Sequence, residues 1–269
     1  MAATHLIVGA GNMGGALMAS WLSAGLIGPR QLCILDPNPS TDAVFAIERG
    51  ARHLGAAVDI PRSVTTVLIA VKPQQFDSLR AQLEAAVPAS ALILSIMAGI
   101  PLARLQNAFP GRDVVRAMPN TPASIGEGMS AFVAPDEMPA KSLDRVTELL
   151  GASGQVLQVE SDSAIDAVTA ISGSGPAYLF HMTEALEAAA RSLGFDEHSA
   201  ANLARQTVIG ASALLKTSER SAGDLREAVT SPGGTTQAAL DILMGADGLS
   251  PLMRRATQAA LERSQQLSR

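Results

Sequence analysis

The sequence predicts an α/β fold, with a doubly wound sheet in residues 1–160 and an all-helical domain in residues 161–269. Short runs that are apolar at every position alternate with helix-compatible segments in the first part, as is typical of parallel strands covered by helices on both faces. A glycine-rich turn follows the first of these runs. After about residue 160, apolar residues recur at helical spacing, alanine is abundant and β-branched clusters are rare, which indicates helices.

Five apolar runs are predicted to be buried parallel strands. They are residues 6–8, 32–35, 67–71, 92–96 and 113–117. A helix is predicted over about residues 13–23, between the first two strands. In the second part, glycine and proline are expected to interrupt the helices. These interruptions fall at residues 172–176, Gly194, residues 231–234 and Gly248.

Composition excludes several classes of protein. The 269 residues carry a net charge of -5, whereas nucleic-acid-binding proteins are usually basic. The single cysteine, Cys33, forms no intrachain disulfide, which suits a reducing compartment. The four histidines have no metal-ligand spacing, so no metal site is predicted. No run approaches the ~20 apolar residues that span a bilayer, and we expect a soluble, cytoplasmic protein.

The glycine-rich turn reads G-A-G-N-M-G and lies between a predicted strand and a predicted helix. In that context the G-x-G-x-x-G pattern indicates a Rossmann-like dinucleotide site. The first glycine permits the turn, the second lets a pyrophosphate approach, and the third lets the helix pack on the strand. The alternative is an ordinary glycine-rich turn. The predicted cofactor contacts are Gly9, Ala10, Gly11, Asn12, Met13 and Gly14.

Asp36 ends the second predicted strand, 22 residues after Gly14. A carboxylate at this place can accept hydrogen bonds from the ribose 2′-hydroxyl of NAD and repel the 2′-phosphate of NADP. No arginine follows in residues 37–41, so the sequence favours NADH over NADPH. The alternative is that Asp36 only begins the Asp-Pro turn.

Two further loops follow predicted parallel strands, at the edge where ligands bind on open α/β sheets. The first contains Ala70, Val71, Lys72 and Pro73, and we predict that it contacts the cofactor. Its lysine could instead be a solvated surface residue. The second places Asn120 between two prolines. Its amide either faces the cofactor or belongs to a structural turn.

Two glycine- and proline-rich loops mark the helical part. One, at residues 172–178, contains Ser174 before a proline that suits the first turn of the next helix. The other, at residues 230–236, leaves amide hydrogens uncovered at a helix start, which is a ready carboxylate site. Two ordinary capped helices are the alternative. The predicted substrate contacts are Ser174, Ser231, Pro232, Gly233, Gly234, Thr235 and Thr236.

Over essentially its full length, the chain resembles the pyrroline-5-carboxylate reductases, which carry out the last step of proline biosynthesis. The resemblance rests on the motifs at residues 9–14, 70–73, 118–122, 172–178 and 231–236. It implies a Rossmann domain, a helical dimerisation domain, and hydride transfer from NADPH or NADH to the C=N bond of 1-pyrroline-5-carboxylate. It also implies that Thr236 lies near the substrate nitrogen and that Glu219 lies at the substrate pocket, as the two catalytic candidates.

The chain departs from the family pattern at Thr65, where many members have aspartate, and at Ala57, where many have asparagine. Two other functions stay open at this point. A related β-hydroxyacid dehydrogenase needs a lysine acid/base, for which only Lys216 is available after residue 160. A non-catalytic dinucleotide sensor needs only the glycine loop. We expect a homodimer or larger homo-oligomer through the Ala-rich helical domain.

Overall fold

The computed structural model describes residues 2–268. They form two compact units, one of residues 2–174 together with residues 260–268, the other of residues 175–259. The first unit holds the sheet and the second is helical. Within residues 2–268 no helix is both long and apolar enough to cross a bilayer.

The first unit is built on one eight-stranded sheet of order β3-β2-β1-β4-β5-β6-β7-β8. All neighbouring strands are parallel except β6 and β7. The strands are β1 His5–Val8, β2 Leu32–Leu35, β3 Arg52–His53, β4 Thr66–Ile69, β5 Leu92–Ser95, β6 Val114–Met118, β7 Gly128–Val133 and β8 Gly154–Gln158. Because the chain leaves β1 for β2 on one side and later places β4 on the other, a crevice opens between β1 and β4 at their carboxyl ends.

The five predicted strands are confirmed, and all of them pair in parallel. The third is shorter than predicted, because it ends at Ile69 and leaves Ala70 and Val71 in the following loop. The sequence reading missed the two-residue β3 and the strands β7 and β8. The last of these begins with a glycine and is largely exposed, so it lacks the continuous apolar pattern of a central strand.

Helices cover both faces of this sheet. They are α1 Asn12–Ser23, α2 Thr41–Glu48, α3 Pro73–Ala86, α4 Leu102–Ala108, α5 Ala140–Gly151 and α6 Asp162–Val168. Buried side chains of α1, α2 and α5 pack in one apolar cluster, and those of α3, α4 and α6 pack in the other. Trp21 of α1 is fully buried and donates its ring N–H to the carbonyl of Leu149.

The second unit consists of helices with a poorly covered apolar surface. They are α7 Gly175–Ser192, α8 Glu197–Thr217, α9 Ala222–Ala228, α10 Thr235–Leu243 and the first part of α11 Leu249–Leu267. The predicted interruptions at Gly194, residues 231–234 and Gly248 all separate helices. Only Ala200 and Ala204 are buried apolar residues of this unit. Large apolar side chains are exposed on it, among them Leu179, Phe180, Leu186, Leu193, Phe195, Leu203, Ile209, Leu214, Leu215, Ile242 and Leu252.

The compact units divide later than the predicted boundary after residue 160, between Ser174 and Gly175. Helix α6 belongs to the first unit because its Asp166 lies beside the buried Arg116 of β6. The end of α11 also returns to the first unit, where Ser264 donates a hydrogen bond to Asp166 at 2.8 Å. Apolar packing of Ile165 and this buried polar pairing therefore both tie α6 to the first unit.

Candidate functional site

The glycine-rich loop connects β1 to α1 at the β1/β4 crevice. Gly9 has a φ of +88°, which a residue with a side chain rarely adopts. A Cβ atom on Gly9 would lie 2.8 Å from the backbone of Ala70 and Val71, and one on Gly14 would lie 2.9 Å from the Cβ of Ala70. The first and third glycines therefore let two loops and a helix meet.

Gly11 differs from the other two glycines because no protein atom lies within 4 Å of the position that its Cβ would occupy. It is the N-cap of α1, which has no side-chain cap and no acidic residue in its first turn. The partial positive charge of that helix end is thus left for an external anion. These features fit the pyrophosphate of a dinucleotide, which Gly11, Asn12 and Met13 would contact.

Asp36 lies directly after β2, and its half-buried carboxylate spans two loops. One oxygen accepts from the N–H of Ala10 at 2.6 Å and the other from the N–H of Asn38 at 2.7 Å. The second bond is the turn contact that the structural alternative describes. The first bond brings the carboxylate to the glycine loop, where the ribose selector is expected. Asp36 therefore serves the turn and also carries a negative charge at the nucleotide site.

The loop after β4 places Lys72 as the N-cap of α3 and Pro73 as its first residue. The Lys72 N–H donates to the side chain of Gln75 at 3.3 Å, and the residue is exposed. Ala70 donates its N–H to Val8 at 2.8 Å, so this loop lies against β1. The structure thus brings the second predicted cofactor segment to the glycine loop.

Asn120 is buried at the end of β6 and has protein partners at both ends of its amide. Its Oδ1 accepts from the N–H of Met129 at 2.9 Å, and its Nδ2 donates to the carbonyl of Ser172 at 3.0 Å. These bonds favour the structural role over direct contact with the cofactor.

Residues 172–176 separate two helices, as predicted, but through a π-helical turn rather than an open loop. A π-helical turn, Thr169–Gly173, follows α6, and α7 begins at Gly175. Ser174, with helical dihedral angles, donates its N–H to the carbonyl of Thr169, five residues earlier, at 2.8 Å. Pro176 lies in the first turn of α7, as predicted.

In the second unit, residues 231–234 form a type II turn that leads into α10. Gly234 donates to the carbonyl of Ser231 at 3.0 Å, Pro232 occupies the second position, and Gly233 has a φ of +70°. The N-cap of α10 is Gly234, which has no side chain to cap the first-turn amides. This arrangement fits a carboxylate-binding helix start.

Thr235 and Thr236 are the first two residues of α10. Glu219 lies in the bend between α8 and α9 and is exposed. Lys216, the acid/base that a β-hydroxyacid dehydrogenase would need, is on the last turn of α8.

A buried charge cluster in the first unit escaped the sequence reading. Arg116 is completely buried on β6, and its guanidinium pairs with Asp162 at 2.5 Å and Asp166 at 3.5 Å. Asp162 also accepts from the N–H of Leu102, the first residue of α4, at 3.1 Å. The available signal was an arginine in the middle of the apolar run V-V-R-A-M, since a buried arginine requires acidic partners.

A buried histidine lies at the opposite, amino edge of the sheet. Burial, together with the charge of the neighbouring Arg145, lowers the pKa of His5 to about 4. Its two ring nitrogens contact Arg145 and the hydroxyl of Thr4. This cluster lies away from the glycine loop and bears on acid stability.

Two family models and a set of related proteins match this chain. The family model described as pyrroline-5-carboxylate reductase dimerisation matches residues 162–267, and a model of F420-dependent NADP oxidoreductases matches residues 5–99. The pyrroline-5-carboxylate reductase of Pseudomonas aeruginosa is 37% identical over 263 residues, covering 97% of this chain and 95% of that protein.

The chain belongs to the pyrroline-5-carboxylate reductase family.

Solved structures agree with this assignment. The pyrroline-5-carboxylate reductase of Coxiella burnetii has a TM-score of 0.90 and 30% identity, and the match covers 100% of both chains. The pyrroline carboxylate reductase of Plasmodium falciparum, solved with NADP bound, has a TM-score of 0.84 and 25% identity, covering 99% of this chain and 98% of that one. This reductase family member therefore combines a Rossmann-like sheet with a helical dimerisation domain, and its relatives give no support to a hydroxyacid dehydrogenase or a sensor.

Proposed function

We propose that this chain reduces 1-pyrroline-5-carboxylate to L-proline with NADH or NADPH. The observation that carries the proposal is the full-length relationship to reductases of this substrate. The loops that bear the expected chemistry are present, at residues 9–14 in the first unit and residues 231–236 in the second. In this reaction the reduced nicotinamide supplies a hydride to the imine carbon, and the ring nitrogen carries a proton.

The first unit is expected to hold the cofactor. The uncovered amides at the start of α1 and the open space at Gly11 would bind the pyrophosphate. Ala70, Val71, Lys72 and Pro73 would line the same crevice. The protein's contribution on this side is position, because correct placement of two reactants removes much of the entropic barrier.

The second unit is expected to hold the substrate. Backbone amides at the start of α10 would bind its carboxylate without a basic side chain, and the hydroxyl of Thr236 would hydrogen-bond its ring nitrogen. Glu219 is the other side chain of this unit that we assign to the substrate. Ser174, the last residue of the first unit before α7, is assigned to the substrate as well. A protonated imine accepts hydride readily, so this scheme needs no strong general acid on the chain.

The proposal extends to the assembly and the cofactor preference. The exposed apolar side chains of the second unit support a homodimer, or an assembly of dimers, through that unit. The negative charge of Asp36 beside the glycine loop supports a preference for NADH. The single cysteine supports a cytoplasmic location, and the negative net charge supports the expectation that nucleic acid is not a partner.

Steady-state oxidation of NADH and of NADPH on pyrroline-5-carboxylate tests the activity and the preference together. The parent should turn over and use NADH with the higher kcat/KM. Asp36→Ser should shift the ratio of the two kcat/KM values toward NADPH by about tenfold or more, because a like charge beside the 2′-phosphate is removed.

Asp36→Asn is the matched variant, because it keeps the shape and an acceptor for the N–H of Ala10 while it removes the charge and the acceptor for the N–H of Asn38. If both variants shift the ratio, the charge sets the preference. A parent that oxidises neither cofactor with this substrate rules out the proposed activity. An unchanged ratio in Asp36→Asn rules out the role of the charge.

A further inference from the structure

We propose that Asn120 is a positioning residue, which holds the π-helical turn before α7 and thereby sets Ser174 in the geometry that binds the substrate. The proposal depends on the substrate-binding role assigned above to Ser174. It concerns a residue for which the sequence left open a cofactor contact or a structural turn.

The first step of the argument is a carbonyl group that the sequence leaves without its regular donor. In an α-helix the N–H of each residue donates to the carbonyl four residues earlier. Pro176 has no N–H, so it cannot donate to the carbonyl of Ser172. Ser172 is only half-buried, but the side chain of Asn120 reaches its carbonyl oxygen at 3.0 Å. An asparagine from the sheet thus supplies the donor that the proline lacks.

The second step is the orientation of the Asn120 amide. The N–H of Met129 in β7 is a donor, so the amide must present Oδ1 to it, at 2.9 Å. The Nδ2 group then necessarily faces Ser172. The residue is 8% exposed, and Pro119 and Pro122 restrict the backbone around it. Asn120 is therefore a rigid bridge between the end of β6, the start of β7 and the π turn.

The third step connects this bridge to the substrate loop. The turn Thr169–Gly173 is wider than an α-helical turn, and Ser174 closes it by donating to Thr169 at 2.8 Å. Wide turns of this kind are rare and are frequent at functional sites. With the Ser172 carbonyl held by Asn120, the next backbone groups, which include Ser174, have one orientation. Without that bond the turn can relax toward regular helical spacing and move Ser174.

A double-mutant cycle separates this role from general stability. Asn120→Ala in the parent should raise KM for pyrroline-5-carboxylate about tenfold, the effect of one lost hydrogen bond to a backbone group, with little change in KM for NADH. In a Pro176→Ala background residue 176 regains an N–H that can serve Ser172. There the same substitution should raise KM by less than about threefold, since the lost partner is replaced.

Two further variants serve as controls. Asn120→Asp keeps an acceptor for the N–H of Met129, loses the donor to Ser172 and adds a negative charge beside that carbonyl, so it should raise substrate KM at least as much as Asn120→Ala. It serves as the second variant if the alanine variant does not fold. Ser153→Ala removes a buried hydroxyl that donates to the carbonyl of Leu150 at 2.8 Å, away from the turn. It should leave both KM values unchanged.

Equal effects of Asn120→Ala in the two backgrounds overturn the proposal, as does a rise in KM for NADH alone, which would return Asn120 to the cofactor site. A third outcome also overturns the proposal: Ser174→Ala leaves the substrate KM unchanged, and the coupling between Asn120 and residue 176 appears only in unfolding free energies. Asn120 then supports the fold but does not position a substrate-binding residue. If the parent shows no turnover, the proposed activity fails, and the unfolding cycle alone reports whether Asn120 and residue 176 are coupled.

Discussion

Replacement of Arg116 by methionine should destabilise the first unit strongly and in a pH-dependent way. The guanidinium is fully buried and is the cation beside Asp166, whose side chain is 7% exposed. Methionine fills a similar volume without charge, so the variant keeps packing but leaves a buried carboxylate without its cation. Breaking a buried pair in this way costs about 3–5 kcal/mol, a large fraction of the roughly 5–15 kcal/mol of a typical domain.

The structure indicates which acid accounts for that cost. The side chain of Asp162 is 35% exposed, so water can solvate it after the arginine is gone. Among the described residues, Asp166 keeps the hydroxyls of Ser264 and Ser268, at 2.8 and 3.3 Å. A carboxylate that is buried without a cation is more costly charged than neutral. The destabilisation should therefore be largest at neutral pH and should shrink as the pH falls.

Urea unfolding at one protein concentration, at pH 7.5 and pH 5, measures both effects. Adding Asp166→Asn to Arg116→Met removes the unpaired carboxylate. The double variant should recover at least about 1 kcal/mol of the unfolding free energy at pH 7.5. A loss below about 1 kcal/mol for the single variant, or no recovery in the double variant, would refute the assignment of this cost to Asp166.

Three other outcomes are expected. Gly11→Ala should weaken NADH binding about tenfold and leave unfolding free energy within about 1 kcal/mol, because the space beside Gly11 is empty of protein. Gly14→Ala should lower both the affinity and the unfolding free energy, since its Cβ would overlap the carbonyl oxygen of Gly9 and lie 2.9 Å from the Cβ of Ala70. A fluorescence titration with NADH measures the affinity, and urea unfolding distinguishes the two variants. Because the pKa of His5 is about 4 in the folded chain and ordinarily ~6.5, the unfolded chain binds its proton first as pH falls. The parent should lose about 1.4 kcal/mol by pH 5.5 and about 3 kcal/mol by pH 4 from this residue, and His5→Gln should lose neither. Size-exclusion chromatography at micromolar concentration should give a species larger than the 27.7 kDa monomer, and Phe180→Asp should dissociate it; a parent that elutes as a monomer contradicts this assembly.

The sequence could predict the parts of the fold in which local pattern and burial agree. The central strands β1, β2, β4, β5 and β6 are apolar at nearly every position, and the glycine loop has its spacing fixed by backbone geometry. Strand β8 is mostly exposed and β3 has two residues, so neither has a pattern that distinguishes it from a loop.

The roles of particular polar residues were harder to predict, because they depend on partners distant in sequence. Asp166 is 50 residues from Arg116 and 98 from Ser264, and no spacing rule connects them. The amide of Asn120 was open to two interpretations for the same reason. Its partners, Ser172 and Met129, become neighbours only when the sheet has formed.

The return of α11 to the first unit has a consequence for synthesis of the chain. Residues 260–268 belong to the same compact unit as residues 2–174, and they leave the ribosome only after the 85 intervening residues, 175–259. At roughly 5–20 residues per second, the sheet waits about 5–19 s for the hydroxyls of Ser264 and Ser268, which complete the surroundings of Asp166. The unit whose synthesis begins first is thus completed last, and during that interval Asp166 lacks both hydroxyl donors.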